Sequence, residues 1–599
     1  MLLSELNDYY HQVLKTHPDE IAHPGWGICK VGALLVLNPD GEICSIVSTG
    51  DTRGVSIVPE HQTRSSDVKP YFICDKSTYL LGDDNKNNPD RALQAFDESK
   101  KLHLEILDGV HSPIADAIRK FYLSWSPSDA RDNSVLSNSG TAELVFSGKF
   151  LLFALSIDGS LELSIKNEAI KAAWLNYYYK PLPGDTVMRC LVTGEKRPIA
   201  VTHLPINGVK NANRAGAKLV SFNKSILSVA KYGHEKGFNA PVSKEAVQGY
   251  TTALNYLLAS PIHHTCLGNT TIAYWSRECD DFNSSFLSQL IFPNPGNDSD
   301  QKYLDSVVKS VVSGKYQDDC EIRLDSHFFI VGLAPNDARI SVQFFLASTF
   351  GHFVENIAEH YRRVDIAHAP NTKEFISPYA LLQAVEKSSA KKSSAKKSSA
   401  KKQKPVYESE FCAPLMRSIL NNTRYPEGMY QSIIERIRAS QNDEEKQTKK
   451  VTRSRAAFIR AYLLKNVGLS REEITVTVNE DSPSVAYNLG RLFAILESLQ
   501  DQANGSSNLA NRYMNSASVT PELVYPILLR LANAHLNKVG HDKPGLANWY
   551  KNQIAELIGT ERIEYFPKRL NLTEQGEFFL GYYEQYASKN TDKKEKQHV

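Results

Sequence analysis

The sequence predicts an α+β protein: a mixed α/β N-terminal region with several β-hairpins, followed by an all-α C-terminal helical bundle. Two patterns carry this reading. Up to residue 350, apolar runs alternate with turn signals in the manner of strands and hairpins. Beyond it, apolar residues recur at i, i+3, i+4 and i+7, the spacing of amphipathic helices. A Lys/Ser/Ala tract at 387–402 has no apolar periodicity and falls inside the helical part as a linker.

Lys30–Leu37 and Glu42–Val47 flank Asn38-Pro-Asp-Gly, which predicts a hairpin. Helical spacing follows over Asp90–Leu107 and Ile114–Trp125. Leu144–Leu155, broken by Ser147-Gly-Lys, reads as a second hairpin. Lys244–Leu258 reads as a helix and Thr270–Trp275 as a strand. Glu321–Leu333 and Arg339–Leu346 flank Ala334-Pro-Asn-Asp as a third hairpin. Phe350–Arg363 begins the helical part, continued by 408–421, 425–439, 453–466, 484–502, 521–538, 545–558 and 573–588. Thr520 before Pro521 marks an N-cap with proline at the first helical position. Within 484–502, Val485, Leu489, Leu492, Phe493, Leu496 and Leu499 form one stripe facing a bundle core.

A chain of 599 residues exceeds what one core organises, so several domains are expected. The expected divisions are a 1–350 recognition region with a possible break near 125–140, a connecting helix over 351–385, a linker over 386–405, a helical segment over 406–475 and a bundle over 476–599. A hydrophobic content of 42% and a charged content of 23% are those of an ordinary globular protein. Net charge is only +2, so nucleic-acid contact has to come from local patches. The eight cysteines are scattered without a Cys-x-x-Cys, which signals neither a zinc site nor a disulfide framework and fits a reducing, cytoplasmic setting. No export signal or membrane-length apolar run is visible.

The most informative stretch is 203–223. Between Pro205 and Lys218 it has no carboxylate, two glycines (Gly208, Gly216), three asparagines (Asn207, Asn211, Asn213) and three cations (Lys210, Arg214, Lys218). Glycine admits close backbone approach, asparagine offers donors and an acceptor, and the cations neutralise phosphate. A second basic loop holds Gln62, Arg64, Ser65, Ser66 and Lys69, residue types that commonly meet phosphate. Either loop also reads as a solvated turn.

No phosphate-cradling Gly-x-x-x-x-Gly-Lys-[Ser/Thr] loop and no Gly-x-Ser-x-Gly elbow occur. His352, Glu355, Glu359 and His360 share a helical face and form the best metal candidate, with an arginine-paired polar face as the alternative. The adjacent His263 and His264 lack an acidic companion in sequence, and His541-Asp542 sits in a turn signature. No catalytic residue, metal or cofactor is expected.

Several blocks, taken in order, resemble the large subunit of the type I-C CRISPR Cascade surveillance complex, the Csd-type large subunit family. They include Arg64-Ser-Ser-Asp-Val-Lys-Pro-Tyr-Phe, Cys190-Leu-Val-Thr-Gly-Glu-Lys, Leu219-Val-Ser-Phe-Asn, Tyr232-Gly-His-Glu-Lys-Gly-Phe-Asn-Ala-Pro-Val-Ser, Ala338-Arg-Ile-Ser-Val, Arg424-Tyr-Pro-Glu and Tyr487-Asn-Leu-Gly-Arg-Leu-Phe-Ala. The resemblance implies a non-catalytic subunit that reads the protospacer-adjacent motif (PAM) in double-stranded DNA. It also implies that the subunit helps open the R-loop and docks the helicase-nuclease that cuts. Its other partners are then the guide RNA complex, with its backbone and 5′-handle subunits, and a small subunit translated from the C-terminal part of the same gene, beginning near Val476 or Val478. The bundle then lines a DNA strand through Arg491, Arg512 and Arg530. Where the family loop reads closer to Gly-Ala-Gln-Ser-Ser-Gly-Ala, this chain has Asn211-Ala-Asn-Arg-Ala-Gly-Ala, so the base preference does not transfer. Two other readings stand beside this one: a metal-dependent nuclease, and a helical scaffold that binds only protein.

Overall fold

The computed structural model describes residues 2–18, 20–50, 55–61, 64, 68–83, 88–138, 140–180, 185–222, 233–279, 281–291, 309–310, 323–369, 372, 374–385, 410–442, 449–559 and 561–595. The lysine-rich insertion at 387–404 lies outside these residues, as do Gln62, Ser65 and Ser66. The chain divides into two compact units, Met1–Ala259 with Asn336–Ser341, and Ser260–Pro335 with Val342–Val599.

The first unit runs α1 (Leu2–Thr16), β1 (Trp26–Leu37), β2 (Ile43–Ser48), β3 (Val55–Pro59), β4 (Cys74–Lys76), α2 (Ser77–Leu80), α3 (Pro89–Ile106), α4 (Pro113–Ser124), α5 (Ala142–Phe146), β5 (Phe150–Ile157), β6 (Ser160–Leu163), α6 (Glu168–Tyr179), β7 (Val187–Arg189), β8 (Lys196–Pro198) and α7 (Lys244–Ala259). The main sheet has the order β2-β1-β5-β4, with β3 also on β1 and β6 on β5. The expected hairpin at Asn38 is present. The Asn38 Oδ1 accepts the N–H groups of Asp40 at 3.0 Å and Glu42 at 2.9 Å, an Asx turn that sets the β1–β2 register.

The second expected hairpin is corrected. Leu144–Phe146 ends the short helix α5, and the hairpin is β5–β6. β5 instead pairs in parallel with β1, a strand more than a hundred residues earlier. That pairing puts Leu35, Leu151 and Phe153 under Ile114, Ile118 and Phe121 of α4. Among these core groups sits His103 of α3. Its Nε2 accepts the Ile73 N–H at 2.9 Å, and its Nδ1 lies 2.7 Å from the Ser99 carbonyl. Those two partners require the neutral imidazole with its proton on Nδ1.

The second unit runs β9 (His264–Leu267), β10 (Thr270–Ser276), α8 (Asp281–Ile291), β11 (His327–Asn336), β12 (Arg339–Thr349), α9 (Phe350–Val364), α10 (Pro378–Gln383), α11 (Cys412–Leu420), α12 (Glu427–Ala439), α13 (Arg453–Tyr462), α14 (Val485–Asn504), α15 (Leu509–Ala517), α16 (Pro521–Asp542), α17 (Pro544–Leu557) and α18 (Leu572–Glu595). Its sheet has the order β12-β11-β10-β9, and β11–β12 is the third expected hairpin. The compact units do not divide at residue 350. One core runs from Ile272 and Phe328 of this sheet through Phe350 and Phe353 to Leu489 and Phe578 of the bundle. The sheet therefore packs as part of the helical unit.

Helix α14 is buried along most of its length, well beyond its apolar stripe. It crosses α18 at backbone distance. A Cβ on Gly490 would stand 2.0 Å from the Phe578 carbonyl oxygen, and one on Gly581 2.2 Å from that of Tyr487. No side chain fits there, so glycine on both helices is what permits the crossing. Polar pairs line the seam: Tyr487 with Glu584, Ser484 with Glu577, Arg491 Nε with Gln585 Oε1 at 3.0 Å, and the Tyr582 hydroxyl donating to Glu497 at 2.6 Å. Burial pushes the Glu584 carboxyl up to about 8. Thr520 occupies its expected cap position, but its hydroxyl donates back to the Ser516 carbonyl at 3.2 Å and makes no cap bond.

Burial depresses His103 and His203 to about 4 and His360 to about 3. Their folded values lie below the unfolded one, so the fold favours the neutral rings. That contribution is complete above the unfolded value near 6.5 and is lost as pH falls toward the folded values. Buried carboxyls such as Glu584 act in the opposite sense, so the histidine contribution is read as a difference between two proteins. From pH 7 to pH 5 the thermal midpoint of the unmutated chain should drop relative to that of His103→Gln, which has no ring to protonate; a constant difference between the two proteins would contradict the assignment.

Candidate nucleic-acid interface

The 203–218 loop is built on α7. Gln248 of that helix is buried at 2% exposure, and its carboxamide is fully engaged by polar groups. Nε2 donates to the Trp26 carbonyl at 2.7 Å and the His23 carbonyl at 3.1 Å, while Oε1 accepts the Gly25 N–H at 2.7 Å. Two turns on, Asn255 clamps the loop. Its Oδ1 accepts the Asn207 N–H at 2.8 Å, and its Nδ2 donates to the Pro205 carbonyl at 3.3 Å. Between them, Tyr250 places its hydroxyl 2.6 Å from His203 Nδ1. Burial, then the charge of Lys218, holds His203 neutral.

Ile206 and Ala217 close the loop with two reciprocal backbone hydrogen bonds of 2.8 and 2.9 Å. Three apolar side chains, Ile206, Val209 and Ala217, are buried beneath it. The residues between them are thrown outward. Asn207, Asn211, Asn213 and Arg214 are exposed, and Lys210 and Lys218 are half-buried. Two turns shape the tip: Ala212 N–H to the Val209 carbonyl at 3.1 Å, and Gly216 N–H to the Asn213 carbonyl at 2.9 Å. Asn211 takes φ +61°, a left-handed conformation that asparagine tolerates better than most residues. Gly216 has φ +86°, and a Cβ there would lie 2.7 Å from Pro205 Cβ and 2.8 Å from Asn207 Oδ1.

The loop's exit is held too. Lys218 N–H donates to the Ala338 carbonyl at 3.1 Å, and Ile340 N–H to the Lys218 carbonyl at 3.0 Å. The β11–β12 hairpin tip thus fixes the backbone that carries Lys218. Lys218, Lys236 and His203 line a small recess beside it. The result is a tip whose own residues, 207–216, include cations and no carboxylate, on a base fixed at both ends.

The second loop is placed differently. Arg64 forms an ion pair with the fully buried Asp75 and donates through Nε to the Lys69 carbonyl at 2.6 Å. Its guanidinium lies between the rings of Tyr71, 3.6 Å away, and Tyr79, 3.7 Å away. This arginine binds the segment to its own fold, while Lys69 stands exposed. In the bundle, Arg491 lies inside the α14–α18 seam at 3% exposure, so it offers no surface to a strand; Arg512 and Arg530 are exposed.

The metal candidate on α9 does not converge. Glu359 pairs with Arg362, Arg363 and Arg471, His360 is buried with Nδ1 2.8 Å from the Tyr425 hydroxyl, and His352 and Glu355 are exposed. His263 does have an acidic companion, contrary to expectation: its Nε2 is 3.1 Å from Asp281 Oδ1, a residue sequence order does not place beside it. His541 and Asp542 form an exposed pair at the end of α16. Among the described residues, no helix is long and apolar enough to cross a membrane.

The model of the family described as CRISPR-associated protein (Cas_Csd1) matches residues 6–589. The chain belongs to that family. No curated protein matches it.

Asn255→Ala removes the clamp without touching the loop's exposed side chains. Hydrogen exchange over 206–217 should accelerate while global stability changes by about 1 kcal/mol. Unchanged protection of those amides would show that the clamp is dispensable.

Proposed function

We propose that this CRISPR-associated protein is the non-catalytic large subunit of a type I-C guide-RNA surveillance complex. In this reading it recognises the protospacer-adjacent motif in double-stranded DNA, helps open the duplex into the R-loop and recruits the helicase-nuclease. The observation that carries the reading is the clasped 206–217 loop. Its base is pinned by Asn255 and by the Ile206–Ala217 bonds, and its tip exposes asparagine, lysine and arginine with no carboxylate among them. A rigid donor-rich tip suits base edges presented in a groove, because a fixed backbone loses little freedom on binding. Delegating most of the sequence to guide pairing leaves only a short flanking motif for protein to read.

Roles divide by chemistry. Asn207, Asn211 and Asn213 bring both donors and acceptors, so they suit base-edge contact. Lys210, Arg214 and Lys218 bring charge, so they suit phosphate or groove acceptors. Lys69 adds an exposed cation from the second loop, where Arg64 acts as a positioning residue. In the bundle, Arg512 and Arg530 stay as strand-facing candidates.

Binding of the reconstituted guide complex to duplexes with randomised flanking bases tests this at stated salt. Asn211→Ala and Arg214→Ala should remove about 1–3 kcal/mol of discrimination between flanks. Lys210→Ala should weaken all targets alike and flatten the salt dependence. Flank-independent binding in the unmutated complex would sink the assignment.

The C-terminal helices from α14 onward also make a separate small subunit in this proposal, through internal initiation near Val476 or Val478. Mass spectrometry of complex expressed from the native gene should detect a polypeptide running from there to the C-terminal end. Its absence from assembled complex would remove that part of the proposal.

A further inference from the structure

Among the described residues, Cys29, His61 and Cys74 form a group whose ligand atoms all lie within 4.8 Å of one another. They come from three chain segments: Cys29 from β1, His61 from the residues just after β3, and Cys74 from β4. Both cysteines are reduced and buried, and they belong to one small core on the main sheet. The Nε2 atom of His61 is buried with no hydrogen-bond partner. Its ring is held flat against Tyr71 at 4.0 Å, and Tyr71 in turn carries the Arg64 guanidinium.

The backbone beside Cys74 is also held in an uncommon state. Ile73 has φ +51°, a left-handed conformation that is costly for a β-branched residue. It is enforced from both sides: His103 accepts its N–H at 2.9 Å, and the Phe153 N–H donates to its carbonyl at 3.2 Å. This conformation sets the direction in which Cys74 leaves the chain.

We infer that Cys29, His61 and Cys74 bind a thiophilic divalent cation of the zinc class, which staples the segment after β3 to the main sheet. Two thiolates and an imidazole are a preferred donor set for such an ion. With zinc–sulfur bonds near 2.3 Å and zinc–nitrogen bonds near 2.0 Å, the ligand atoms would sit ~3.5 Å apart, a separation that atoms already within 4.8 Å of one another reach by small side-chain adjustment. A water molecule completes the fourth position. Binding replaces both thiol protons with the metal and releases them to solvent. Affinity therefore falls as pH is lowered. The inference is independent of DNA recognition.

The test uses full-length chain without a histidine tag, stripped with chelator under anaerobic conditions and titrated with Co²⁺ and then Zn²⁺. Co²⁺ should saturate at one per chain, with a sulfur-to-cobalt charge-transfer band and the visible bands of a tetrahedral ion, and Zn²⁺ should bleach both. Cys29→Ser or Cys74→Ser should lose about half the charge-transfer intensity, one thiolate of two. Cys266→Ser, at an exposed site, should keep it. Because buried serines can unfold the chain, alkylation is followed on the unmutated protein as well: Zn²⁺ should slow modification of Cys29 and Cys74 but not of Cys44. A wild-type chain with no charge-transfer band would overturn the inference. So would a band that survives both substitutions, or a Cys29–Cys74 disulfide as the dominant anaerobic form.

Discussion

The Gln248 carboxamide is the contact on which the first unit turns. Placed on α7, it binds the backbone at His23, Gly25 and Trp26, where the chain enters β1. The same helix passes so close to α1 that a Cβ on Gly249 would lie 2.5 Å from Asn7 Oδ1. Lys244 at its start holds Asp185, and Asn255 near its end holds the basic loop. One helix thus fixes the N-terminal helix, the entry to the central strand and the loop on one rigid post. A buried amide left without its partners costs about 1–3 kcal/mol, so position 248 tolerates little change. The loop's conformation depends on this post, because the tip itself buries only Val209.

Several arginines of this chain serve structure instead of the surface. Arg460, at 2% exposure, donates to four carbonyls: Thr475 at 2.7 Å, Arg362 and Arg363 at 2.9 Å each, and Ile474 at 3.3 Å. Arg455 is likewise buried, donating to the carbonyls of Ala384 and Lys450. With Arg64 and Arg491 also committed, a count of basic residues overstates what a polyanion would meet. The modest net charge of +2 understates it locally, because the loop's cations have no acidic residue among them in sequence. Both effects favour a few placed contacts over a broad electrostatic surface.

Much of the architecture was legible in the sequence because periodicity and turn chemistry are local. Asn38-Pro-Asp-Gly produced its hairpin, and the apolar stripe of 484–502 marked the central helix. What escaped was non-local. The parallel β1–β5 pairing leaves no trace within either strand, so Leu144–Phe146 was read as the missing partner of β5. Cys29 and Cys74 lie too far apart in sequence to suggest a joint site, yet the sheet brings their sulfurs together. Arg64 and Arg491 carried the right chemistry for phosphate, but burial against Asp75 and Gln585 is a tertiary property that composition does not encode. The 203–218 loop was legible because its signal is compositional. Its anchoring by Asn255 and by the 336–341 hairpin tip was not, since neither partner adjoins it in sequence.

In the proposed role, the loop tip touches the bases flanking the guide-matched target. The most direct measurement replaces Asn211 with a photo-crosslinking residue and irradiates the assembled guide complex on duplex DNA. Crosslinks to the flanking bases, varying in yield with their identity, are the predicted result. Crosslinks confined to guide RNA or to neighbouring protein, with target binding intact, would contradict the account.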